Sequence, residues 1–323
     1  MRIMSNPQTV LVVGASGFVG SAIMRQLALR SDLSAVALRA PRLRSSARNA
    51  KALLAEAGEH VSAFDDTPIS EGAVLVNAAG IAEASSVDSD GLVGANALVP
   101  AVALLAAQRG GARRFVHVSS AAVQGTTATL DQSQRRVPFS PYSLSKCLGE
   151  EVILSVESAV ERVVYRPPSV HGLDRPMTHR IASLARSGLR SIAGDGTLPS
   201  PQALVENVAA AVVQLCTGPT PAPVVMHPWE GITTRDLLEL LGDGRPPRRI
   251  PIALARAAVR AGWATLGRFE GCQADIRRLE LLWFGQGQAE SWLTTQGWTP
   301  PVGREGWQTL GAQLSRRITS AAT

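Results

Sequence analysis

Residues Gly14-Ala15-Ser16-Gly17-Phe18-Val19-Gly20 constrain the fold of this chain more than any other stretch. They follow a β-branched apolar run at residues 9–13 and open an apolar helical pattern at 18–29, which predicts a strand, a tight turn and a helix. Glycines in such a turn let the backbone approach a pyrophosphate and let the helix pack closely on the strand. The helix N-terminus then offers unpaired N–H groups and the positive end of its dipole to an anion. This unit belongs in an α/β sheet, with residues 14–20 as a dinucleotide cradle.

The alternation continues. Residues 35–38, 61–64, 73–76, 115–118, 162–165 and 224–226 read as buried strands. Residues 46–57 (ended by Gly58), 92–108 (kinked at Pro100), 141–156 and 204–215 read as helices between and after them. The predicted fold is α/β, a Rossmann-like doubly wound parallel sheet with a smaller C-terminal substrate-binding lobe. Residues 1–168 with about 203–227 form the dinucleotide-binding domain. Residues 169–202 (approximately) and 228–323 form the lobe, with helices at 234–241 and 252–266 and a core built on Trp283, Trp292 and Trp298.

Composition narrows the partners. With 45% apolar and 18% charged residues over 323 positions, the chain is globular rather than disordered. Its net charge of +6 comes almost wholly from scattered arginines, with Lys51 and Lys146 the only lysines. No basic helix interleaved with aromatics occurs, so nucleic acid is not an expected partner. No uncharged apolar stretch of the ~18 residues needed for a membrane span is evident, and the N-terminus lacks the apolar core of a signal peptide. Cys147, Cys216 and Cys272 are odd in number and far apart, and His60, His117, His179 and His227 lack ligand spacing, so neither a disulfide framework nor a metal site is expected. A cytoplasmic protein acting on a small molecule is expected; the oligomeric state stays open, a homodimer included.

Two further features point to hydride chemistry. After residues 35–38 the chain reads Arg39-Ala40-Pro41-Arg42 with no acidic residue, and an arginine there suits the 2′-phosphate of NADP where an acid would suit NAD. Tyr142 and Lys146 lie four apart on one helical face, where the cation is expected to lower the phenol pKa toward an acid/base range. Ser119-Ser120 ends a buried strand upstream, and ligands in such folds sit at the carboxyl ends of strands.

In this order and spacing the motifs resemble an extended short-chain dehydrogenase/reductase of the NAD-dependent epimerase/dehydratase group. They run from GASGFVG through Asn77-Ala78-Ala79-Gly80, Asn96, Ser119-Ser120, Tyr142-Ser143-Leu144-Ser145-Lys146 and Arg166-Pro167-Pro168-Ser169-Val170-His171-Gly172. Gly194-Asp195-Gly196, Val205-Glu206-Asn207 and Gly297-Trp298-Thr299-Pro300 complete the series. The pattern is most similar to nucleotide-sugar 4-ketoreductases.

The resemblance implies Ser120 as the carbonyl-orienting hydroxyl, Tyr142 as acid/base, and Lys146 as its charge partner and ribose ligand. Gly14, Ser16, Gly17, Phe18 and Val19 would line the pyrophosphate, and Arg39 the 2′-phosphate. Asp65, or Asp66 beside it, would meet the adenine edge; Ala78, Ala79, Gly80 and Asn96 the cofactor cleft; and Pro168 the nicotinamide. Ser120, Gln124, Ser169 and His171 would face substrate.

Departures from the family pattern matter. Dehydratases of this group carry an Asp-Glu pair where this chain has Ala121 and Ala122, so water elimination is not expected. Ser200 stands where many epimerases have a diphosphate-gripping arginine, a place Arg277 or Arg278 could fill. Gln124 replaces a usual tyrosine and Asn207 a frequent aspartate. The expected activity is NADPH-dependent reduction of a carbonyl, with a nucleotide-activated 4-keto-6-deoxy sugar as the leading substrate. A nucleotide-sugar epimerase and a non-catalytic NADP-binding sensor or scaffold are the alternatives.

Overall fold

Six apolar runs pair into one parallel sheet. In chain order they are β1 (Gln8–Val13), β2 (Leu33–Leu38), β3 (Val74–Asn77), β4 (Arg114–Val118), Glu161–Arg166 and Val224–Met226. Across the sheet the order is β2-β1-β3-β4, then Glu161–Arg166, then Val224–Met226. The computed structural model describes residues 7–66, 69–82, 86, 88–242 and 244–321.

Period-two alternation splits the strand side chains between two helical layers. Leu11, Val13, Leu75 and Phe115 pack toward α2 (Ala50–His60), Val99–Arg109 and Pro141–Ser155. Val10, Val12, Val74, Val76 and Val116 pack toward α1 (Phe18–Ala28) and Val205–Thr217. Both faces are therefore dry, which is why these strands read as unbroken Val and Leu runs. Each fully buried Val, Leu or Phe contributes ~1.5–3 kcal/mol, so the two layers dominate the stability of this half. β1 connects to β2 on one side and lies beside β3 on the other, so the strand order reverses there. That switch point leaves a crevice at the carboxyl ends of β1 and β3.

Several expected boundaries move. Residues 61–64 form no strand; Val61–Phe64 is a turn of 3-10 helix that buries Phe64. In an i, i+3 turn Val61 and Phe64 share a side, whereas a strand would have set them on opposite faces. The helix expected at 46–57 is α2, Ala50–His60. It starts where Asn49 accepts the Ala52 N–H at 2.9 Å, and it runs through Gly58 because nothing crowds that position. The preceding loop is tied down instead by Arg44–Asp88 and Arg48–Asp90 ion pairs.

The helix expected at 92–108 is longer, 89–109, and its irregularity precedes Pro100 as a widened turn over Gly94–Leu98. Its 21 residues hold an 18-residue stretch of mean hydropathy 1.6, long and apolar enough to cross a membrane, contrary to the expectation that no stretch is. Of that stretch 83% is buried inside the protein, as in a core helix.

A separate apolar cluster gathers Ala182, Leu204, Ile232, Leu237, Leu241, Trp307, Leu310 and Leu314. Helices outside the sheet layers include Pro176–Arg186, Thr234–Leu241, Ile252–Leu266, Glu270–Phe284 and Arg304–Ala321. A reciprocal cap between Thr233 and Asp236 sets the start of Thr234–Leu241. Trp307, fully buried, is the tryptophan of this core; Trp292 and Trp298 pack instead against the sheet cluster. Trp283 donates to Ser191 Oγ at 3.2 Å.

Candidate active site

The glycine loop at the end of β1 is held by close backbone contact. Gly14 adopts φ +81°, and a Cβ there would sit 2.7 Å from the Ala79 backbone. A Cβ on Gly20 would come within 2.0 Å of the Gly14 carbonyl. Larger residues would therefore push the loop from residues 78–80 or α1 from β1. Gly17 caps α1 with no side-chain hydrogen bond, so the N–H groups of Phe18 and Val19 remain for an anion. Ser16 and Gly17 are exposed at this turn.

Beyond β2 lies a cavity of about 370 Å³ whose walls include Arg39, Arg42, Ala63, Phe64 and Asp66. Two guanidinium groups and one carboxylate thus meet at the end of β2. Asp65 does not line this cavity, its carboxylate pairing with Arg109, whereas Asp66 shares the lining with Arg39.

At the end of β4, Ser120 caps a short turn by accepting the Ala122 N–H at 3.2 Å. The helix Pro141–Ser155 begins sharply because Ser140 and Ser143 cap each other and Pro141 occupies the first turn. This fixes Tyr142 near Ser120, close enough for that hydroxyl to lower the phenol pKa. One turn on, Lys146 Nζ donates to the Val118 carbonyl at 3.3 Å.

Asn96 closes the site from the long helix. Its amide accepts the Ile81 N–H and donates to the Ile81 carbonyl, both at 3.0 Å, and donates to Ser145 Oγ at 3.0 Å. The widened turn at Gly94–Leu98 carries it, and Pro100 lacks the N–H that would have bonded the Asn96 carbonyl. Gly149 lets the Tyr142 helix approach that carbonyl, where a Cβ would be 2.2 Å away. Gly80 is wedged by Asn96 and Lys146, with Asn96 Oδ1 only 2.6 Å and Lys146 Nζ 3.1 Å from where a Cβ would lie.

Burial sets the protonation states. It pushes the Tyr142 phenol up from its ordinary value, against lowering by the Ser120 hydrogen bond and the Arg175 charge. Lys146 is not among the groups that lower it, which corrects the expectation drawn from the i, i+4 spacing. Burial also brings Lys146 itself down to about 8, with Glu150 opposing. Glu150, wholly buried, accepts from Ser119 Oγ at 2.6 Å and from Arg166 at 2.9 and 2.7 Å.

Two expected substrate contacts are occupied elsewhere. Gln124 is 1% exposed and spends both ends of its amide on Asp131, at 2.6 and 2.8 Å. His171 has no exposed surface; Nδ1 meets Thr178 at 3.1 Å and Nε2 meets Gln202 at 2.7 Å. Burial lowers its pKa to about 4, so the ring is neutral. The exposed Ser169, 3.2 Å from His171 Nε2, is the member of that group facing outward, and the half-buried Pro168 precedes it.

Arg175 was not singled out from the sequence. Its guanidinium stacks 5.5 Å over the Phe18 ring and donates to the Ala82 carbonyl at 3.2 Å, joining the glycine loop to the catalytic side. Its position three residues past His171-Gly172 was the available signal.

Known proteins share this fold. The family model described as NAD dependent epimerase/dehydratase matches residues 10–223. A UDP-glucose 4-epimerase of Vibrio cholerae is 27% identical over 177 residues, 51% of this chain and 53% of that protein, so the match spans about half the relative's length. The UDP-glucuronic acid 4-epimerase from Bacillus cereus, solved in complex with NAD, superposes with a TM-score of 0.64 at 17% identity, covering 96% of this chain and 99% of the other. The dTDP-4-dehydrorhamnose reductase from Bacillus anthracis, in complex with NADP, gives 0.61 at 14% identity over 94% and 98%. A human epimerase family protein with NADPH gives 0.63 at 18% identity over 96% and 98%. At these identities the structures share the fold.

Proposed function

Because the chain belongs to the NAD dependent epimerase/dehydratase family, we propose that it is an NADPH-dependent reductase of a substrate carbonyl. Its leading substrate is a nucleotide-activated 4-keto-6-deoxy sugar. The observation that carries this assignment is the placement of Ser120, at the end of β4, near the buried Tyr142, whose phenol burial pushes up from its ordinary value. A protonated tyrosine is the form that carbonyl reduction consumes, whereas alcohol oxidation must begin from the phenolate.

The residues fit a dinucleotide. The Gly14 turn leaves no room for a side chain against Ala79, and two arginines with one acid wall the cavity past β2. Phe18 and Val19 amides would hold the pyrophosphate, Arg39 a 2′-phosphate, and Lys146 the ribose. When bound, the cofactor supplies the hydride. Ser120 orients the carbonyl oxygen and Tyr142 delivers a proton to it as charge develops. Ala121 and Ala122 supply no acid or base for removing water from a sugar ring.

The diphosphate of a nucleotide sugar needs a cation. Ser200 does not offer one, being 1% exposed and hydrogen-bonded by Gln202 at 3.1 Å. Arg277 is the better candidate: it is 6% exposed, bonds Glu280 through Nη1, and leaves its buried Nε without a partner.

The names of the epimerases among its relatives favour a second reading, a nucleotide-sugar epimerase that recycles its cofactor. The two differ in stoichiometry. With a keto-sugar nucleotide, a reductase should lose one reduced nicotinamide per product, read as the fall in its absorbance. Product formed without net NADPH loss, on protein carrying tightly bound cofactor, would give the assignment to the epimerase.

The cofactor preference has its own test. Arg39→Asp should weaken NADPH binding by roughly 10–100-fold, the scale of a lost charge-assisted hydrogen bond, with NADH much less affected. Wild-type protein binding NADH as tightly as NADPH would remove the preference.

A further inference from the structure

Arg175 reaches both walls of the crevice at the ends of β1 and β3. One wall is the turn after β1, which ends at Phe18; the other is the chain after β3, residues 78–82. The guanidinium stacks 5.5 Å over the Phe18 ring on the first and donates through Nη2 to the Ala82 carbonyl at 3.2 Å on the second. Its charge is also felt at the Tyr142 phenol, so it lies toward the crevice rather than away from it.

The local chain aims the side chain there. His171 and Thr178 are fully buried and bonded to each other at 3.1 Å, and Thr178 Oγ1 accepts the Gly172 N–H at 3.3 Å. The Arg175 N–H donates to the Gly172 carbonyl at 3.2 Å, and its own carbonyl caps Pro176–Arg186 by accepting from Thr178 and His179. A Cβ on Gly172 would be 2.9 Å from Phe18 Cζ, so the ring packs on that backbone and also meets the guanidinium.

Charge makes this placement informative. Residues 7–24 hold no lysine, arginine, aspartate or glutamate, so the glycine turn supplies amides and no net charge. A pyrophosphate is anionic at both phosphorus atoms, whereas a helix N-terminus offers only about half an elementary charge. Arg39 and Arg42 lie past β2, and Lys146 lies against Gly80. The neighbouring Asp174 pairs with Arg317 at 3.1 Å, and among the described residues no carboxylate pairs with Arg175. With Nη2 bonded to Ala82, the Nε and Nη1 donors face no partner among the described residues and remain for an anion beside Phe18.

We propose that Arg175 is the cation that binds the pyrophosphate of the nicotinamide dinucleotide. The assignment rests on the dinucleotide-binding reading of the glycine turn, and not on the choice between NADP and NAD, since both carry the pyrophosphate. It adds to the Phe18 and Val19 amides a charged ligand from the 171–178 turn, on the far side of the chain from β1.

Calorimetric titration of the full chain with NADPH, NADH and UDP tests this. Arg175→Met, which keeps an unbranched stem against Phe18, should weaken NADPH and NADH by the same factor, ~10–100-fold, the range for a lost charge-assisted hydrogen bond. What binding remains should respond less to added salt, because a screened attraction has been removed. Arg175→Lys keeps the charge without the planar fork and should recover part of the loss. Dinucleotide affinity unchanged in Arg175→Met overturns the assignment alone. So does a loss with the salt dependence of wild type, which is the mark of a packing role. Weakened UDP binding with both dinucleotides unaffected gives the cation to a substrate diphosphate and overturns it as well. Wild-type protein that binds neither dinucleotide removes the cofactor reading itself, and the Arg175 assignment with it.

Discussion

Tyr142→Phe is expected to bind NADPH as the wild type does and to turn over at least ~10²-fold more slowly, the loss typical of a missing acid/base group. The ring is 9% exposed and packed, so deleting one oxygen leaves the helix and the cofactor cleft in place. What disappears is the phenol hydroxyl near Ser120, the proposed proton donor. A ~10²-fold loss corresponds to ~2.7 kcal/mol of transition-state stabilisation, several times what a change in packing by one hydroxyl would cause. Lys146→Ala should behave differently, damaging both binding and turnover, because Nζ lies against Gly80 in the cofactor cleft and bonds the strand that carries Ser120. Single-turnover hydride transfer together with NADPH titration distinguishes the two patterns. Near-normal turnover by Tyr142→Phe would end the assignment of this residue as the proton donor.

Most of this centre could be read from the sequence because its parts are local. The glycine turn follows its strand directly, and Tyr142 and Lys146 share a helix whose caps, Ser140 and Ser143, lie within four residues. The strands β1, β3 and β4 are continuous apolar runs, which only a sheet covered on both faces allows. Where the sequence misled, the deciding partners were distant. Gln124 and His171 have the chemistry of substrate ligands, yet Asp131, Thr178 and Gln202 occupy them. Residues 61–64 form too short an apolar run to separate strand from turn by periodicity, and the burial of Phe64 beneath α2 chose the turn. Asp66, rather than Asp65, shares the cavity lining with Arg39.

The phenol pKa illustrates a different limit. Spacing places a cation four residues from Tyr142, but spacing says nothing about desolvation. In the folded chain burial outweighs nearby charge, and the charge that does reach the phenol is that of Arg175, 33 residues later in the chain. Helix periodicity identifies which side chains share a face; the tertiary packing decides which of them set each other's protonation.

Glu150→Ala is expected to destabilise the fold by ~3–5 kcal/mol, the range for removing one partner of a buried ion pair. The Glu150 carboxylate is fully buried and the Arg166 guanidinium is 1% exposed, so the arginine left behind could not recover its hydration. Arg136, 3.4 Å from the same carboxylate and 21% exposed, could turn to solvent and adds little. Since a domain's whole stability is ~5–15 kcal/mol, the variant should unfold at a much lower denaturant midpoint, with an unchanged slope if only the pair is lost. Replacing both partners, as in Glu150→Leu with Arg166→Met, removes the stranded charge and should cost less than Glu150→Leu alone. It should still cost something, because Arg166 also donates to the Ser133 carbonyl at 2.8 Å. Urea unfolding of the single and double variants measures this coupling. A Glu150→Ala midpoint within error of wild type would mean that the pair is not what anchors Ser119, and through it the end of β4, to the catalytic helix.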